Sequence, residues 1–314
     1  VATGGKAYLP EEGVFLYGKD PRVLTQRELE EKMYRGNMTP PGRVVMIQCV
    51  GSRDAAHPYC SRVCCVQAVK NALRLKEIAP GTEVFVLYRD MRTYGLYERY
   101  YKKAREKGVL FVRFGDEAMP MVEKDGDSLL VRFFDPLLGE EVVLPADCVV
   151  LSTGIVPCED APALSRLLKV PLTQDGFFLE AHVKLRPVDF ATEGIYVCGL
   201  AHGPKLAEES ILQAKAAVAR LMTVLSKDTL LSEAQVATVD EKKCTACGDC
   251  ERVCQYRAIG VNREKGVAQV NRALCKGCGL CSATCRSGAV QILGFTKEAI
   301  LAEVEYLYET SLGT

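Results

Sequence analysis

Twelve of the fifteen cysteines fall into three groups whose spacing suits them to bind metal. Two groups lie near the carboxyl end, Cys244-x2-Cys247-x2-Cys250-x3-Cys254 and Cys275-x2-Cys278-x2-Cys281-x3-Cys285. Each cysteine of the second follows its counterpart by 31 residues, so the two runs are an internal repeat. Three thiolates at intervals of three wrap one face of a 4Fe–4S cubane, and the fourth reaches across to the other cluster. The first cluster then takes Cys244, Cys247, Cys250 and Cys285, and the second takes Cys275, Cys278, Cys281 and Cys254. Zinc is the competing chemistry, but zinc ribbons use two separated C-x2-C pairs, not four cysteines in eleven residues twice over. Ferredoxin runs usually carry Pro after the fourth cysteine. Gln255 and Arg286 stand there instead, which weakens the turn signal and leaves the ligands untouched. Clusters of this kind carry single electrons, so the chemistry implied is electron transfer.

The third group is Cys49-x10-Cys60-x3-Cys64-Cys65. Cys49 falls near the end of the apolar run Arg43 to Val50, and the others fall in the first turns of the helix predicted next. In a doubly wound sheet such a strand-to-helix turn binds a dinucleotide pyrophosphate. The G-x-G-x-x-G signature is missing, and the turn reads Cys49-Val50-Gly51-Ser52-Arg53. A helix amino end favours an anionic cubane for the same reason that it favours phosphate. The group therefore reads as a nucleotide site converted into a cluster site. Spacing alone leaves a second reading open, that of buried structural thiols. Cys148, Cys158 and Cys198 have no partner at useful spacing and read as core or near-surface thiols.

The elements that must position these groups follow from periodicity. Arg43 to Val50, Glu83 to Tyr88, Val109 to Phe114 and Cys148 to Thr153 read as strands, and Tyr59 to Ile78 and Leu96 to Lys107 as helices. Alternating strands and helices predict a parallel sheet of the α/β class. A β-hairpin is expected from Met121 to Leu144, and a loop-rich stretch follows Val1 to Gly5, with Pro10, Pro21, Pro40 and Pro41. Gly194 to Gly199 reads as a further apolar strand, leading into a helix over Leu206 to Leu225. A polar linker, Ser226 to Thr238, precedes the cysteine repeat, and Thr296 to Glu309 reads as a short amphipathic helix that packs on a partner.

At 314 residues and 48% hydrophobic content the chain has room for two or three domains. Net charge is zero and no basic patch with interleaved aromatics occurs, which argues against nucleic acid as a partner. No apolar run reaches the roughly 18 residues of a membrane span, and no signal segment is evident. So many cysteines in a chain this long and this apolar argue for metal rather than disulfides, hence for a cytoplasmic, anaerobic setting. The first residue is Val, so the chain is expected to be part of something longer or a processed product.

The stretches Gln48 to Arg53, Tyr59 to Cys65, Gly194 to Gly199 and Ala201 to Lys205, with the two cysteine repeats, resemble the A chain of the heterodisulfide reductase family along essentially the whole sequence. The resemblance implies a thioredoxin-reductase-like flavoprotein of Rossmann type carrying FAD, a 4Fe–4S cluster on Cys49, Cys60, Cys64 and Cys65, and an appended α+β two-cluster ferredoxin domain. It implies three clusters in all. Lys70 matches a lysine that the family places near the flavin N5, and Gly199, Leu200, Ala201, His202, Gly203, Pro204 and Lys205 match the segment lining the flavin. Ser210 lies on the helix whose amino end faces the flavin ring. Other such flavoproteins carry Asp where Leu200 stands, so backbone N–H groups must replace it.

Ala2, Thr3, Gly4 and Gly5 match the motif that closes the FAD-binding half. The rest of that half, with its pyrophosphate-binding turn, is expected before Val1 or on a second polypeptide. The implied divisions are 1–40 (close of the FAD domain and connector), 41–150 (an NAD-domain-like unit with a cluster), 151–228 (the end of the FAD domain), 229–295 (ferredoxin domain) and 296–314 (terminal helix). The implied role is that of an oxidoreductase component passing, and in some complexes bifurcating, electrons between FAD and clusters. Its expected partners are the B and C components of heterodisulfide reductase, or a hydrogenase or dehydrogenase. A pyridine-nucleotide-dependent oxidoreductase fused to a ferredoxin is the alternative, as is a component of a quinone-linked or benzoyl-CoA-reductase-type complex.

Overall fold

Runs apolar at nearly every position are strands covered on both faces, and Arg43–Val50 and Cys148–Thr153 sit in that way. The computed structural model describes residues 1–37, 39–115, 119–229 and 235–312, with side chains as far as 309. It forms two units, Val1–Ser226 and Lys227–Thr314. The first contains β1 (Gly5–Ala7), β2 (Val23–Thr25), α1 (Gln26–Arg35), β3 (Arg43–Val50), α2 (Cys64–Ile78), β4 (Glu83–Tyr88), α3 (Glu98–Glu106) and β5 (Val109–Arg113). It continues with β6 (Met121–Asp125), β7 (Ser128–Asp135), β8 (Glu140–Ala146), β9 (Cys148–Thr153), β10 (Ile155–Pro157), α4 (Ala161–Leu168) and α5 (Ala207–Leu225).

Five strands in the order β2-β9-β3-β4-β5 make a parallel sheet. Successive side chains point to opposite faces. Val44, Met46, Val84, Val86 and Val150 therefore pack with Leu29, Ala68, Val69, Ala72 and Leu75 of the helices. Val45, Ile47, Leu87, Val149 and Leu151 pack with Leu129, Val131 and Phe133 of β7. Each such aliphatic contributes about 1.5–3 kcal/mol by leaving water, so the sheet is fixed from both sides. A buried polar thread sets its register against the helices. Gln26 and Gln48 both donate to Ser152 Oγ, at 3.0 and 2.8 Å, and Asn71 donates to Gln26 Oε1 at 2.8 Å.

Four expectations need correction. The loop-rich stretch after Gly5 holds β2 and α1. Thr25 and Glu28 form a reciprocal capping box at the start of α1, and only Gln26 and Leu29 of that helix are buried, so it shows little apolar pattern. The segment from Tyr59 to Val63 is not helical; Arg62 has φ 62°, a left-handed conformation that no right-handed helix can contain. The hairpin expected over Met121 to Leu144 is a three-stranded antiparallel meander, β6-β7-β8. Gly194 to Gly199 forms no strand, because its partners are scattered: Asp189 bridges Tyr196, Val188 accepts from Val197, and Val1 accepts from Cys198.

The second unit contains β11 (Ala237–Val239), α6 (Asp249–Val253), β12 (Ile259–Asn262), β13 (Val267–Val270), α7 (Leu280–Thr284), β14 (Val290–Ile292) and α8 (Lys297–Leu312). β11 pairs with β14, and β12 with β13, both antiparallel. Each ribbon thus takes one strand from each 31-residue repeat. Backbone conformation repeats too. Ala246, Gly248 and Arg257 have φ 54°, 81° and 50°, and their counterparts Gly277, Gly279 and Gly288 have 62°, 77° and 63°. The expected linker contributes β11, its residues 230–234 lie outside those described, and the terminal helix runs from Lys297 to Leu312.

Gly154 sits where β9 ends against the loop after β3. A Cβ there would lie 2.6 Å from Gly51 O and 2.8 Å from Ser61 Oγ. Gly154→Ala therefore lowers the stability of this unit by about 1–3 kcal/mol. Gly81→Ala, with nothing within 4 Å, leaves it unchanged. Urea midpoints of the two variants test the difference.

Candidate redox site

Cys49 has a left-handed backbone, φ 65°, within β3, and the pairing of β3 with β9 shifts register between Ile47 and Val50. A non-glycine residue held so is strained by roughly 1–3 kcal/mol, and the kink falls where the chain leaves the sheet. Beyond it, Ser52 Oγ donates to Tyr59 O at 2.8 Å, Ser61 Oγ accepts from Ile155 N at 2.8 Å, and Tyr59 Oη donates to Ile155 O at 2.9 Å. These bonds fold the loop back over the start of β10, just past the end of β9. Cys60 is thereby returned beside Cys49, and α2 opens on Cys64 and Cys65 at the carboxyl edge of the sheet.

The four thiols sense one another. Burial, and then the charge of Cys65, pushes Cys49 up to about 11. A hydrogen bond to Cys65, burial, and the charges of Cys65, Cys49 and Cys60 raise Cys64. Cys65 is held down at about 7 by the hydrogen bond from Cys64, by the backbone N–H of Arg92, and by the charges of Arg92 and Arg53. Arg53 and Arg89 likewise lower Cys49. Gathered, mostly buried thiols with guanidinium groups nearby would suit an anionic cluster. Among the described residues, no three His, Cys, Asp or Glu side chains are close enough to hold one metal ion. A cubane does not require that, since each thiolate ligates its own iron.

The segment expected to face a flavin lies on the same unit. Gly199–Ala201 is a 3-10 turn with Gly199 at φ 70°. Gly199 N–H donates to Gln213 Oε1 at 2.9 Å, and Phe178 N–H donates to Ala201 O at 3.0 Å. Ala2, Thr3 and Gly4 run beside it. Cys198 N–H donates to Val1 O at 3.1 Å, the Cys158 thiol donates to Thr3 O at 3.3 Å, and a Cβ on Gly5 would come within 3.4 Å of Leu200 Cβ. His202 is engaged at both ring nitrogens, by Glu180 at 2.8 Å and Gln213 at 2.7 Å, which makes it a support for the turn. The Lys205 ammonium donates to Gly199 O and Gly203 O, both at 2.9 Å. Ser210 Oγ donates to Leu206 O at 3.1 Å, one turn back along α5.

Lys70 stands apart from this group. Its ammonium pairs with Glu30 at 2.6 Å, and it lines a groove bounded by α1, α2 and the residues leading into α3, with Met33, Val69 and Tyr97. Arg62 was not singled out from the sequence, yet its guanidinium reaches Pro204 O at 3.4 Å, Tyr94 Oη at 2.8 Å and the Glu209 carboxylate. A lone arginine between cysteines carries no spacing signal that would have marked it.

In the second unit one small cavity is lined by Cys254, Cys275, Cys278 and Cys281, the set expected for one cluster. Backbone N–H groups point at the sulfurs across the repeats: Ala268 to Cys244 and Ala237 to Cys275, each at 3.3 Å. Ala258 N–H donates to Cys254 at 3.3 Å within its own repeat. N–H···S bonds of this kind stabilise thiolates and set cluster potential. The donor set therefore fits two cubanes.

Residues 243–289 match the family of 4Fe–4S dicluster domains. The chain is thus an iron–sulfur protein whose two-cluster module follows a parallel α/β unit bearing four further gathered thiols. It is 42% identical, over 96% of its length, to the iron–sulfur "A" component of CoB–CoM heterodisulfide reductase from Methanocaldococcus jannaschii, covering 48% of that protein. It is 40% identical over 83% of its length to the corresponding component of the H2:CoB–CoM heterodisulfide,ferredoxin reductase of Methanothermobacter marburgensis. It is 40% identical over 95% of its length to a protein of Archaeoglobus profundus named as similar to the same component. The chain belongs to the family of heterodisulfide reductase A components, the HdrA family. It spans between 42% and 48% of the length of these relatives. Among solved structures it partly overlaps thioredoxin reductases of T. acidophilum and Lactococcus lactis. The TM-scores are 0.46 and 0.45, at 17% and 16% identity, covering 72% and 71% of this chain and 65% of each of those. No helix among the described residues is long and apolar enough to cross a membrane.

Burial, and then the charge of Arg62, lowers Lys205 from 10.5 to about 8. Between those values the unfolded chain binds more protons than the folded one, so stability rises with pH from about 8 toward 10.5. Lys205→Met flattens that part of the profile. Urea midpoints of parent and variant across this interval read it.

Proposed function

We propose that the chain is the iron–sulfur part of a flavin-dependent electron-transfer component in a heterodisulfide-reductase-type oxidoreductase complex. The placement of four mutually interacting thiols and the Gly199–Lys205 segment on one unit supports this reading above all. Cys49, Cys60, Cys64 and Cys65 hold a third 4Fe–4S cluster, and the two repeats hold the others. FAD, when bound, exchanges electron pairs on one side and single electrons on the other, which is the conversion clusters need. Gly4, Gly5 and the Gly199–Lys205 turn form this chain's share of the flavin site, and a further stretch of polypeptide supplies the pyrophosphate-binding turn. Partner proteins of the complex carry the terminal substrate.

Lys70 belongs to the same reading. Its pair with Glu30 is about half exposed on both sides, and such pairs contribute only about 0–1 kcal/mol. The ammonium is therefore loosely held and available to an anionic ring system brought to its groove, where its charge would stabilise the reduced form. Lys70→Ala leaves iron content intact and lowers the flavin potential, by roughly 30 mV if about 1.4 kcal/mol of two-electron stabilisation is lost. An unchanged titration would make Lys70 a solvated helix residue.

Three cubanes require about twelve iron atoms per chain, and Cys64→Ser reduces the count to about eight. Iron analysis of anaerobically prepared protein decides the matter. A parent value near eight, unchanged by Cys64→Ser, removes the third cluster and with it the proposed link to the flavin.

A further inference from the structure

We propose that Arg62 is the positioning residue that locks the cysteine loop to the Gly199–Glu209 segment, an assignment that rests on the functional reading above. Arg62 lies between Cys60 and Cys64, and three elements meet at its guanidinium. It donates to Pro204 O at 3.4 Å, to Tyr94 Oη at 2.8 Å and to the Glu209 carboxylate, and it lies 5.3 Å from the centre of the Tyr94 ring. Tyr94 Oη also donates to Glu209 at 3.2 Å, which closes a triangle. The other oxygen of Glu209 accepts from Leu206 N–H at 2.7 Å. The same carboxylate therefore caps α5 and fixes the turn that ends in Lys205. One side-chain cluster holds the loop after β3, the segment after β4 and the amino end of α5 together.

The backbone of Arg62 makes the case stronger. Its φ of 62° is a conformation that glycine adopts freely and arginine only at a cost. Local geometry alone would favour glycine at this point. What arginine adds is a planar fork with several donors, which can grip a carbonyl, a hydroxyl and a carboxylate at once. The backbone N–H of the same residue donates to Cys60 Sγ at 3.3 Å, so the loop that the side chain anchors bears directly on a cluster ligand. Electron transfer between two centres depends on their separation, and a tie between the elements that carry them has a direct consequence for the reaction. The guanidinium acts through the loop it holds.

A double-mutant cycle on the intact, cluster-loaded chain tests this by hydrogen exchange. Arg62→Met should speed exchange at least roughly tenfold, the loss expected of one charge-assisted hydrogen bond, both at residues 60–63 and at residues 199–206. Glu209→Gln keeps an oxygen for the Leu206 cap and should produce the same pair of changes. The double variant should exceed the worse single by little. Acceleration confined to residues 60–63, or fully additive effects, would overturn the proposal. The potential of the Cys49-Cys60-Cys64-Cys65 cluster gives a second readout that mere loosening would not reproduce. Arg62→Met removes a positive charge and shifts it down, and Glu209→Gln removes a negative one and shifts it up. A potential left unchanged by Arg62→Met would also overturn the link. Iron absent from these cysteines in the parent would sink the functional reading alone, because the exchange cycle is read on the polypeptide.

Discussion

Thiols packed together in a protein interior resist ionisation, and the first unit gathers four of them at one edge of its sheet. Burial and neighbouring sulfurs drive Cys49 and Cys64 toward the protonated form. On the functional reading proposed above, a cluster would reverse the balance by bonding each thiolate to iron, and the net negative charge of the assembly would still have to be offset. Arg53, Arg89 and Arg92, whose charges already favour the ionised form of Cys49 or Cys65, are placed to supply that offset from the loop after Cys49 and from the segment that follows β4. They can do so only because those two segments leave the sheet side by side, and the parallel pairing of β3 with β4 ensures it. The tight junction of Gly51 and Gly154 allows the loop to close over the adjacent strand end. Sheet order, glycine placement and guanidinium positions are thus parts of one electrostatic arrangement.

The second unit meets the same requirement by different means, with backbone N–H groups that approach the sulfurs. Those of Ala237 and Ala268 come from the strand of the opposite repeat. The pairing of β11 with β14 and of β12 with β13 is what carries them across. Left-handed residues at equivalent places in both repeats turn the short C-x2-C loops. Ala246 accepts the strain that Gly277 avoids. At Gly277 a Cβ would lie 2.2 Å from Gln235 O, so this position has no room for a side chain.

Much of the scaffold was legible, and the reason is physical. β3, β4 and β9 begin and end where their apolar runs do, because strands covered on both faces are apolar at most positions and stand out from their polar flanks. The helix α5 was legible to within a residue for a related reason, its pattern being broken by Pro204 on one side and the polar linker on the other. Elements that rely on polar contacts were hidden. α1 is fixed by a capping box, and its sequence is mostly charged. The non-helical Tyr59–Val63 segment is fixed by serine and tyrosine hydroxyls that bond to backbone. Gly194 to Gly199 has strand composition without a neighbouring strand, and composition cannot reveal what lies alongside. For the site, cysteine spacing marked every thiol that the structure gathers in the loop after β3. Charge partners such as Arg62 and Arg53 have no spacing rule and emerge only when the chain is folded.

Guanidinium charges surround the sulfurs of the first unit, and backbone N–H groups approach those of the second. A backbone N–H is a dipole, and it acts on a sulfur at hydrogen-bond distance. A guanidinium carries a full charge, whose field extends over several ångströms in a low-dielectric interior. Arg62 is bound at one end to the cysteine loop and at the other to the carboxylate that caps α5. A charge appearing beside the Gly199–Lys205 turn is therefore felt through the same network that steadies the thiols. On the functional reading proposed above, the cluster of the first unit is the one that responds to the state of the flavin.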